Sequence, residues 1–207
     1  MSNYSIGVRS KRWAKFLANY LREKVHGLDF SMVYVGKIQE SVDEFHGYSM
    51  TDAGDMRRIL EAVPVDPAKS AFLDVGCGKG MCMKCAAESG YQKVAGLDLD
   101  EHLLDIARRN FFKLKMEAEC ICANAVEFDR YDEFDVFYFY NPFGENIFRQ
   151  VIEKIRESQN RRNREIWAVY YHPVYGALFD QAGFQLKHEL RDKTRDTTAS
   201  FYRYPAK

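Results

Sequence analysis

The sequence has no net charge and no long apolar segment, and both absences narrow the classes of protein it can belong to. Its 30 basic and 30 acidic residues cancel within 207, so no global field favours nucleic acid or an anionic membrane surface. No hydrophobic run approaches the ~20 residues of a membrane-spanning helix. No apolar stretch follows the N-terminal charges as in a signal peptide. We therefore expect a cytoplasmic protein without a membrane span.

The sequence also lacks the paired cysteines of a secreted scaffold, since its five cysteines are an odd number. Cys77, Cys82 and Cys85 have the C-x4-C-x2-C spacing of plant-type iron–sulfur ligands. The structural context does not suit a cluster, because Cys77 falls in a glycine turn and the other two on the helix that follows. Cys120 and Cys122 lie further on, on a predicted strand. We predict no metal site.

The most informative stretch is FLDVGCGKG at 72–80, where a short apolar strand runs into three regularly spaced glycines. Glycine lets the backbone turn tightly and approach a ligand where any Cβ would clash. Residues 79–88 read as a helix, whose free N–H groups would face whatever lies in the turn. The glycines are Gly76, Gly78 and Gly80, and we expect Cys77 and Lys79 to be fillers between them.

Two helices are predicted ahead of this turn. Over residues 9–24 apolar side chains recur at helical spacing, and basic side chains occupy the other face. That face either contacts a membrane surface or nucleic acid, or is solvated on a helix packed against the domain, which we favour. A second helix is capped by Thr51 or Asp52 and stopped by two prolines. We predict an N-terminal helical cap at 1–67 and a core at 68–207.

Beyond the turn, strands and helices alternate. Four more strand patterns follow, at 93–99, 118–124, 134–142 and 165–173. The segments 184–192 and 198–205 instead alternate apolar and polar residues around the turn-forming KTRDT, as in an antiparallel hairpin. This order predicts an α/β fold with a parallel sheet, right-handed crossovers, an edge hairpin and a ligand at the carboxyl ends of the strands.

These features resemble the class I S-adenosylmethionine-dependent methyltransferases over about residues 70–205. The resemblance implies a Rossmann-like, seven-stranded, mostly parallel sheet with an antiparallel last strand, helices on both faces and S-adenosylmethionine as cofactor. A closer similarity, to bacterial members without an assigned acceptor, rests on N-P-F at 141–143, on GKG and on H-x-Y-x-x-T. It implies that Tyr48 and Thr51 close over the cofactor; alternatively they are a loop residue and an N-cap.

The glycine turn resembles the family's first motif, with Asp74, Gly76, Gly78 and Gly80 in the matching positions. The resemblance implies that the turn, Cys77 included, holds the methionine part of the cofactor, with Asp74 near its amino group. Two rival sites fit less well. A phosphate-binding loop would need glycine in place of Leu73, and a nicotinamide fingerprint would need glycine in place of Met81.

Polar side chains end the next two predicted strands. Asp98 matches the family's acidic residue and can accept hydrogen bonds from both ribose hydroxyls, with Leu99 beside it. Asp100 suits the N-cap of the next helix better. Asn124, with Ala125, stands where the family often has an aspartate that contacts the adenine amino group. A loop cap explains Asn124 nearly as well.

The fourth strand ends in Asn141, Pro142 and Phe143, on the acceptor side of the family's site. They resemble the [DNS]-P-P-[YFW] motif of methyltransferases that modify planar amino groups, in which the polar side chain accepts from the target N–H. The match is incomplete, because Phe143 replaces the second proline and Gly144 replaces the aromatic residue. The alternative is a proline-stopped strand with an Asx turn.

His172 ends the fifth strand, where a histidine could accept a proton from the acceptor. A lone histidine is more often structural. Tyr140 and Phe143 are expected to wall the site, and Tyr170 and Tyr171 to border the acceptor pocket.

We therefore predict transfer of the sulfonium methyl group to a nucleophilic, most simply nitrogen, acceptor by in-line displacement. The alternatives are a binding module that lost transfer activity and a nicotinamide-dependent oxidoreductase. A small molecule or a protein is the favoured acceptor. The basic helix at 9–24 and the RRNR run at 161–164 keep nucleic acid as a further candidate. The sequence does not indicate the oligomeric state.

Overall fold

The structure, a computed structural model, describes residues 17–18, 20–30, 53–192 and 197–207. In this part of the chain one sheet has seven strands in the order β3-β2-β1-β4-β5-β7-β6. The strands are β1 (Ala71–Val75), β2 (Lys93–Asp98), β3 (Glu119–Cys122), β4 (Val136–Tyr140), β5 (Ile166–Tyr171), β6 (Gln185–Asp192) and β7 (Thr197–Tyr204). Neighbours from β3 to β5 pair in parallel, and β7 is antiparallel to both β5 and β6. The predicted sheet and its terminal hairpin are confirmed.

Helices cover both faces of the sheet, as predicted. They are α1 (Ala53–Glu61), α2 (Met81–Glu88), α3 (Glu101–Leu114), α4 (Glu145–Ser158) and α5 (Ala177–Gln181). The first three share one hydrophobic cluster with the face of β1 that carries Phe72. The other two share a second cluster with the face that carries Leu73 and Val75. Successive side chains of β1 therefore point into different clusters, and all five of its residues are buried.

The carboxyl ends of β1, β2 and β4 meet at one edge of the sheet, because these strands are parallel neighbours. The long apolar run at 134–142 becomes β4, which lies between β1 and β5 as its burial on both faces requires. At the far edge, most residues of β6 are exposed. The site expected at the carboxyl ends therefore lies on strands that are almost completely buried in the core.

Two predicted boundaries need correction. The helix expected from residue 79 begins at Met81, because Gly80 has a φ of 84° and cannot continue the helical backbone. The third strand is Glu119–Cys122, shorter than 118–124, since Asn124 starts a turn. The Asp100 N-cap is confirmed: its side chain accepts from the amides of His102 and Leu103.

Only part of the region covered by the N-terminal predictions belongs to the described residues. Residues 20–25 are helical, whereas the rest of the predicted basic helix lies mostly outside the described residues. Helix α1 packs into the same cluster as α2, and the division at 67/68 stays a prediction. No helix of the described residues is long and apolar enough to cross a bilayer. The cytoplasmic location stays a prediction.

The RRNR run does not form the free basic face that nucleic-acid contact would need. Arg161 pairs with Asp132 at 2.8 Å and Arg162 with Asp135 at 2.7 Å. Arg164 is 8% exposed and donates to the carbonyls of residues 134 and 131. The run follows α4 and precedes β5, so it lies at the amino edge of the sheet, opposite the carboxyl ends.

Candidate functional site

The glycine turn joins the carboxyl ends of β1 and β2. The amides of Gly76 and Cys77 both donate to the carbonyl of Leu97, at 2.8 and 3.1 Å. Gly76 has a φ of 85°, and a Cβ there would lie 2.9 Å from the Cβ of Pro142. A side chain at Gly76 is therefore excluded twice, by its backbone conformation and by a close approach to the end of β4.

The third glycine sits against the helix that follows β2. A Cβ on Gly80 would lie 2.7 Å from Cζ of Phe111 in α3. Helix α2 begins at the next residue, and no side chain caps it. Its first turn therefore offers backbone N–H groups and the positive end of the helix dipole to an anionic ligand.

Cys77 and Lys79, the residues between the glycines, are more than fillers. Cys77 is buried, and a Cβ on Gly96 would lie 2.6 Å from its Cβ, so it packs tightly behind the turn. Lys79 is only 1% exposed, and its Nζ lies 2.9 Å from Oδ1 of Asp29. The expectation that Lys79 is incidental is therefore wrong: it holds the turn to a segment 50 residues away.

Two carboxyl groups interact electrostatically at this turn: Asp74, which is buried, and Asp98, which is half-buried. Oδ2 of Asp98 accepts from the amide of Gly78 at 2.7 Å, and its Oδ1 accepts from the amide of Asp100 at 3.0 Å. Burial raises the pKa of Asp98. Burial, together with the charge of Asp98, raises the pKa of Asp74 from 3.8 to about 8. A ligand that brings positive charge would relieve this repulsion.

The side chains that follow Asp98 and β3 also border this edge. Leu99 is 50% exposed, an apolar side chain available to a flat ring. Oδ1 of Asn124 accepts from the amide of Val126 at 3.0 Å, so the loop cap that was the alternative reading is formed. Ala125 is buried. Contact of Asn124 with the adenine amino group stays a prediction, and the second lone pair of its Oδ1 would accept from that group.

The N-P-F segment bends sharply after β4. Asn141 has a φ of 42°, which non-glycine residues rarely adopt. Its Oδ1 accepts from the hydroxyl of Tyr170 at 2.7 Å. That hydroxyl in turn accepts from the amide of Tyr175 at 3.4 Å, so its proton is directed at Asn141. Phe143 is 6% exposed and packs near Phe148, which makes it a core residue more than a wall.

His172 follows β5 at the same edge and is exposed, with a φ of 58°. Its Nδ1 lies 3.0 Å from Oγ1 of Thr197. Tyr171 is buried and donates to Asp192 at 2.6 Å, so it does not border a pocket as expected. Tyr48 and Thr51 lie outside the described residues.

Four of the five cysteines belong to or pack against the hydrophobic cluster that carries Phe72, namely Cys77, Cys82, Cys85 and Cys120. Cys77, Cys82 and Cys85 are buried, Cys120 is half-buried and Cys122 is exposed. Within the part of the chain that the structure describes, no group of three His, Cys, Asp or Glu residues could hold a metal ion.

Sequence reasoning missed two interactions of the site, the Lys79–Asp29 ion pair and the Tyr170–Asn141 hydrogen bond. A lysine inside a glycine-rich turn was a signal for the first, because burial of lysine requires a partner. Nothing local indicated the second, whose members are 29 residues apart.

In this α/β domain the glycine turn and the N-P-F segment meet at the carboxyl edge of the sheet. Residues 72–160 match the family described as "Methyltransferase domain". No curated protein sequence matches the chain significantly.

Solved structures with this fold are methyltransferases. The ribosomal protein L11 methylase from Lactobacillus delbrueckii subsp. bulgaricus has a TM-score of 0.59 at 16% identity, covering 87% of this chain and 92% of that chain. An RNA methyltransferase from Salinibacter ruber, solved with S-adenosyl-L-homocysteine, has a TM-score of 0.57 at 18% identity, covering 77% and 95%. The Pyrococcus abyssi tRNA (uracil-54, C5)-methyltransferase, also solved with S-adenosyl-L-homocysteine, has 0.56 at 16%, covering 73% and 37%.

This chain thus spans little more than a third of the Pyrococcus enzyme's length. At these identities the likenesses show the fold. The match over residues 72–160 and the shared fold agree with the predicted methyltransferase domain.

Proposed function

We propose that this protein transfers the methyl group of S-adenosylmethionine to a nitrogen nucleophile by in-line displacement. The observation that carries the proposal is the close approach of Gly76 and Pro142. It brings the turn expected to hold the cofactor and the segment expected to meet the acceptor into direct contact. Neither half of such a site would be useful without the other.

The residues around the turn fit the cofactor in chemistry as well as in position. Asp98 would accept from the ribose hydroxyls, Asp74 would face the amino group, and the uncapped start of α2 would face the carboxylate. Half-exposed Leu99 would contact adenine. Cys77, Gly78 and Gly80 would contribute backbone, and Asn124, Ala125, Tyr48 and Thr51 complete the proposed cofactor set.

When bound, the cofactor supplies a methyl carbon on a positively charged sulfur, from which the bonding pair returns to sulfur as the acceptor's lone pair forms the new bond. The protein's part is alignment and exclusion of water. Asn141 would orient the acceptor, and Tyr170 would hold Asn141. Exposed His172 would take the proton that the acceptor loses. Pro142 and Phe143 would fix the bend that presents Asn141.

A small molecule or a protein side chain is the acceptor class that we favour. The basic run at 161–164 is engaged within the protein and lies at the opposite edge of the sheet. Among the similar solved structures are RNA methyltransferases and a ribosomal protein methylase. RNA is therefore the alternative acceptor class to be tested. A steep loss of acceptor affinity as the salt concentration rises would favour RNA. We further propose residues 1–67 as a cap over the core at 68–207.

The test has two stages. Calorimetry with S-adenosylhomocysteine, and with NADH as the rival ligand, asks which one the purified protein binds. A radiolabelled-methyl assay against lysate fractions of protein, nucleic acid and small molecules then asks for transfer. Binding of S-adenosylhomocysteine and labelling of one fraction support the proposal. Binding without labelling of any fraction favours a binding module, and binding of NADH alone would favour an oxidoreductase.

A further inference from the structure

The most unusual charged group of the site is the ammonium of Lys79. It lies inside the glycine turn, 1% exposed, and its carboxylate partner Asp29 belongs to a segment far away in sequence. Asp29 is one-third exposed, so the pair runs from the interior of the turn to the surface. We define residues 20–30 as the N-terminal segment.

A second set of hydrogen bonds joins the same two elements through one buried side chain. Asn110 of α3 is 2% exposed. Its Oδ1 accepts from the amide of Asp29 at 2.9 Å, and its Nδ2 donates to the carbonyl of Asp29 at 3.0 Å. The same Nδ2 lies 3.4 Å from the carbonyl of Lys79. Asn110 thus contacts the backbone of both members of the ion pair.

The N-terminal segment closes on itself just before this junction. The amides of Leu28 and Phe30 both donate to Glu23, one to its carbonyl at 2.7 Å and one to its carboxylate at 3.0 Å. Phe30 is 1% exposed. The end of the segment is therefore an ordered unit, and its polar attachment to the turn is made by Asp29.

From these contacts we infer that Lys79 is a positioning residue that couples the N-terminal segment to ligand binding at the glycine turn. Asp29 compensates the buried charge of Lys79, and weaker compensation of a buried charge is costly, so loss of Asp29 should destabilise the turn. A ligand that requires the formed turn therefore favours the docked segment. By linkage, the docked segment raises the ligand's affinity by the same factor. The ligand's identity rests on the proposed function; the coupling itself goes beyond it.

The experiment measures both directions of the coupling in the full chain. The affinity for S-adenosylhomocysteine is measured by calorimetry, and hydrogen exchange of the amides of residues 28–30 is followed with and without it. The variants are Lys79→Met, which keeps the length and apolar stem, and Asp29→Asn. The matched control is Lys93→Met, which removes a lysine paired with Glu133 at the amino edge of the sheet.

In the wild type, S-adenosylhomocysteine should slow exchange of these three amides. Lys79→Met should weaken its binding roughly 5- to 150-fold, the usual range of coupling between sites, and abolish the ligand-dependent slowing. Asp29→Asn should weaken binding and abolish the slowing in the same way. The double variant should bind S-adenosylhomocysteine no more weakly than whichever single variant has the lower affinity. Lys93→Met should retain both effects.

Unchanged affinity in Asp29→Asn would overturn the coupling even if Lys79→Met fails to fold. If both single variants fold, additive losses in the double variant would overturn it as well. Failure of the wild type to bind S-adenosylhomocysteine would instead count against the proposed function. The ligand-free comparison then still tests the attachment: exchange at 28–30 must speed up in Asp29→Asn and not in Lys93→Met, or the inference is wrong.

Discussion

At the scale of single residues, the site is held by polar groups that meet across distant parts of the chain. Asn141 carries an unfavourable backbone conformation, which typically costs on the order of 1 kcal/mol or more. Its side chain is fixed by a tyrosine of the neighbouring strand. The backbone conformation and the hydrogen bond with Tyr170 together fix where the amide group of Asn141 points.

The first prediction concerns that partner. Tyr170→Phe removes the hydroxyl that donates to Asn141 and leaves the buried ring in place, so we expect a 10-fold or larger loss of methyl transfer, on the order of 1.4 kcal/mol. The affinity for S-adenosylhomocysteine should not change, because the hydroxyl lies on the acceptor side. Steady-state kinetics and calorimetry check this. Tyr91→Phe is the control, since its buried hydroxyl has no partner within the described residues. A parallel loss of cofactor affinity in Tyr170→Phe would contradict the assignment.

The second prediction concerns pH. An exposed aspartate has a pKa of 3.8, the value expected for Asp74 in the unfolded chain. In the fold, burial and the charge of Asp98 disfavour ionisation and raise the pKa of Asp74 to about 8. Between these values the folded protein holds one proton more than the unfolded chain. Its stability should therefore fall as pH rises towards 8, by about 1 kcal/mol per pH unit. Denaturant unfolding from pH 5 to 8 should show this slope, and Asp74→Asn should remove it.

The same proton should appear in ligand binding. If the amino group of S-adenosylmethionine pairs with Asp74, the carboxyl group must ionise, so binding releases a proton and tightens as pH rises to about 8. Calorimetry in two buffers of different ionisation enthalpy measures this release. Asp105→Asn, on the exposed face of α3, should leave it intact. Proton uptake, or no exchange at all, would remove Asp74 from the amino group.

At the scale of elements, the turn between β1 and α2 is in close contact with the segment that follows β4. Gly76 and Gly90 have nearly the same φ, 85° and 83°. A Cβ on Gly76 would lie 2.9 Å from the Cβ of Pro142, whereas a Cβ on Gly90 would have no atom within 4 Å. Gly90→Ala therefore reports the backbone penalty alone, roughly 1 kcal/mol. Gly76→Ala should cost more and also weaken S-adenosylhomocysteine binding, because Pro142 must move. Equal losses of stability in both variants, measured by denaturant unfolding, and an unchanged S-adenosylhomocysteine affinity in Gly76→Ala would contradict the role given to the contact with Pro142.

Elements were easier to predict than their contacts, and the reason is physical. The strand and helix patterns and the Asp100 cap depend on residues a few positions apart, so periodicity and capping rules reach them. The partners of Lys79 and Asn141 lie 50 and 29 residues away. Only the completed sheet brings them together. The predicted start of α2 was wrong because it depends on the backbone of a single residue: Gly80 has a left-handed conformation, so the helix begins only at Met81.

At the scale of the whole molecule, the two edges of the sheet carry different groups. The carboxyl edge gathers the glycine turn, Asp98, Asn141 and His172, while the amino edge is tied by arginine clamps. Charge counting could not separate the two, because a run such as RRNR looks the same whether its partners are phosphates or the carboxylates of residues 132 and 135.

The final prediction tests whether the arginines of the amino edge contribute to the proposed activity. The double variant Arg161→Gln, Arg162→Gln removes two exposed ion pairs, each worth about 1 kcal/mol or less. Its stability should fall only slightly, and its methyl transfer and the salt dependence of acceptor binding should match the wild type. Arg164→Met is the structural contrast: it removes buried hydrogen bonds to the carbonyls of residues 131 and 134, so it should lower stability by several kcal/mol. If the double variant instead lost transfer together with its salt dependence, the arginines would contact a nucleic-acid acceptor, and the amino edge would belong to the site.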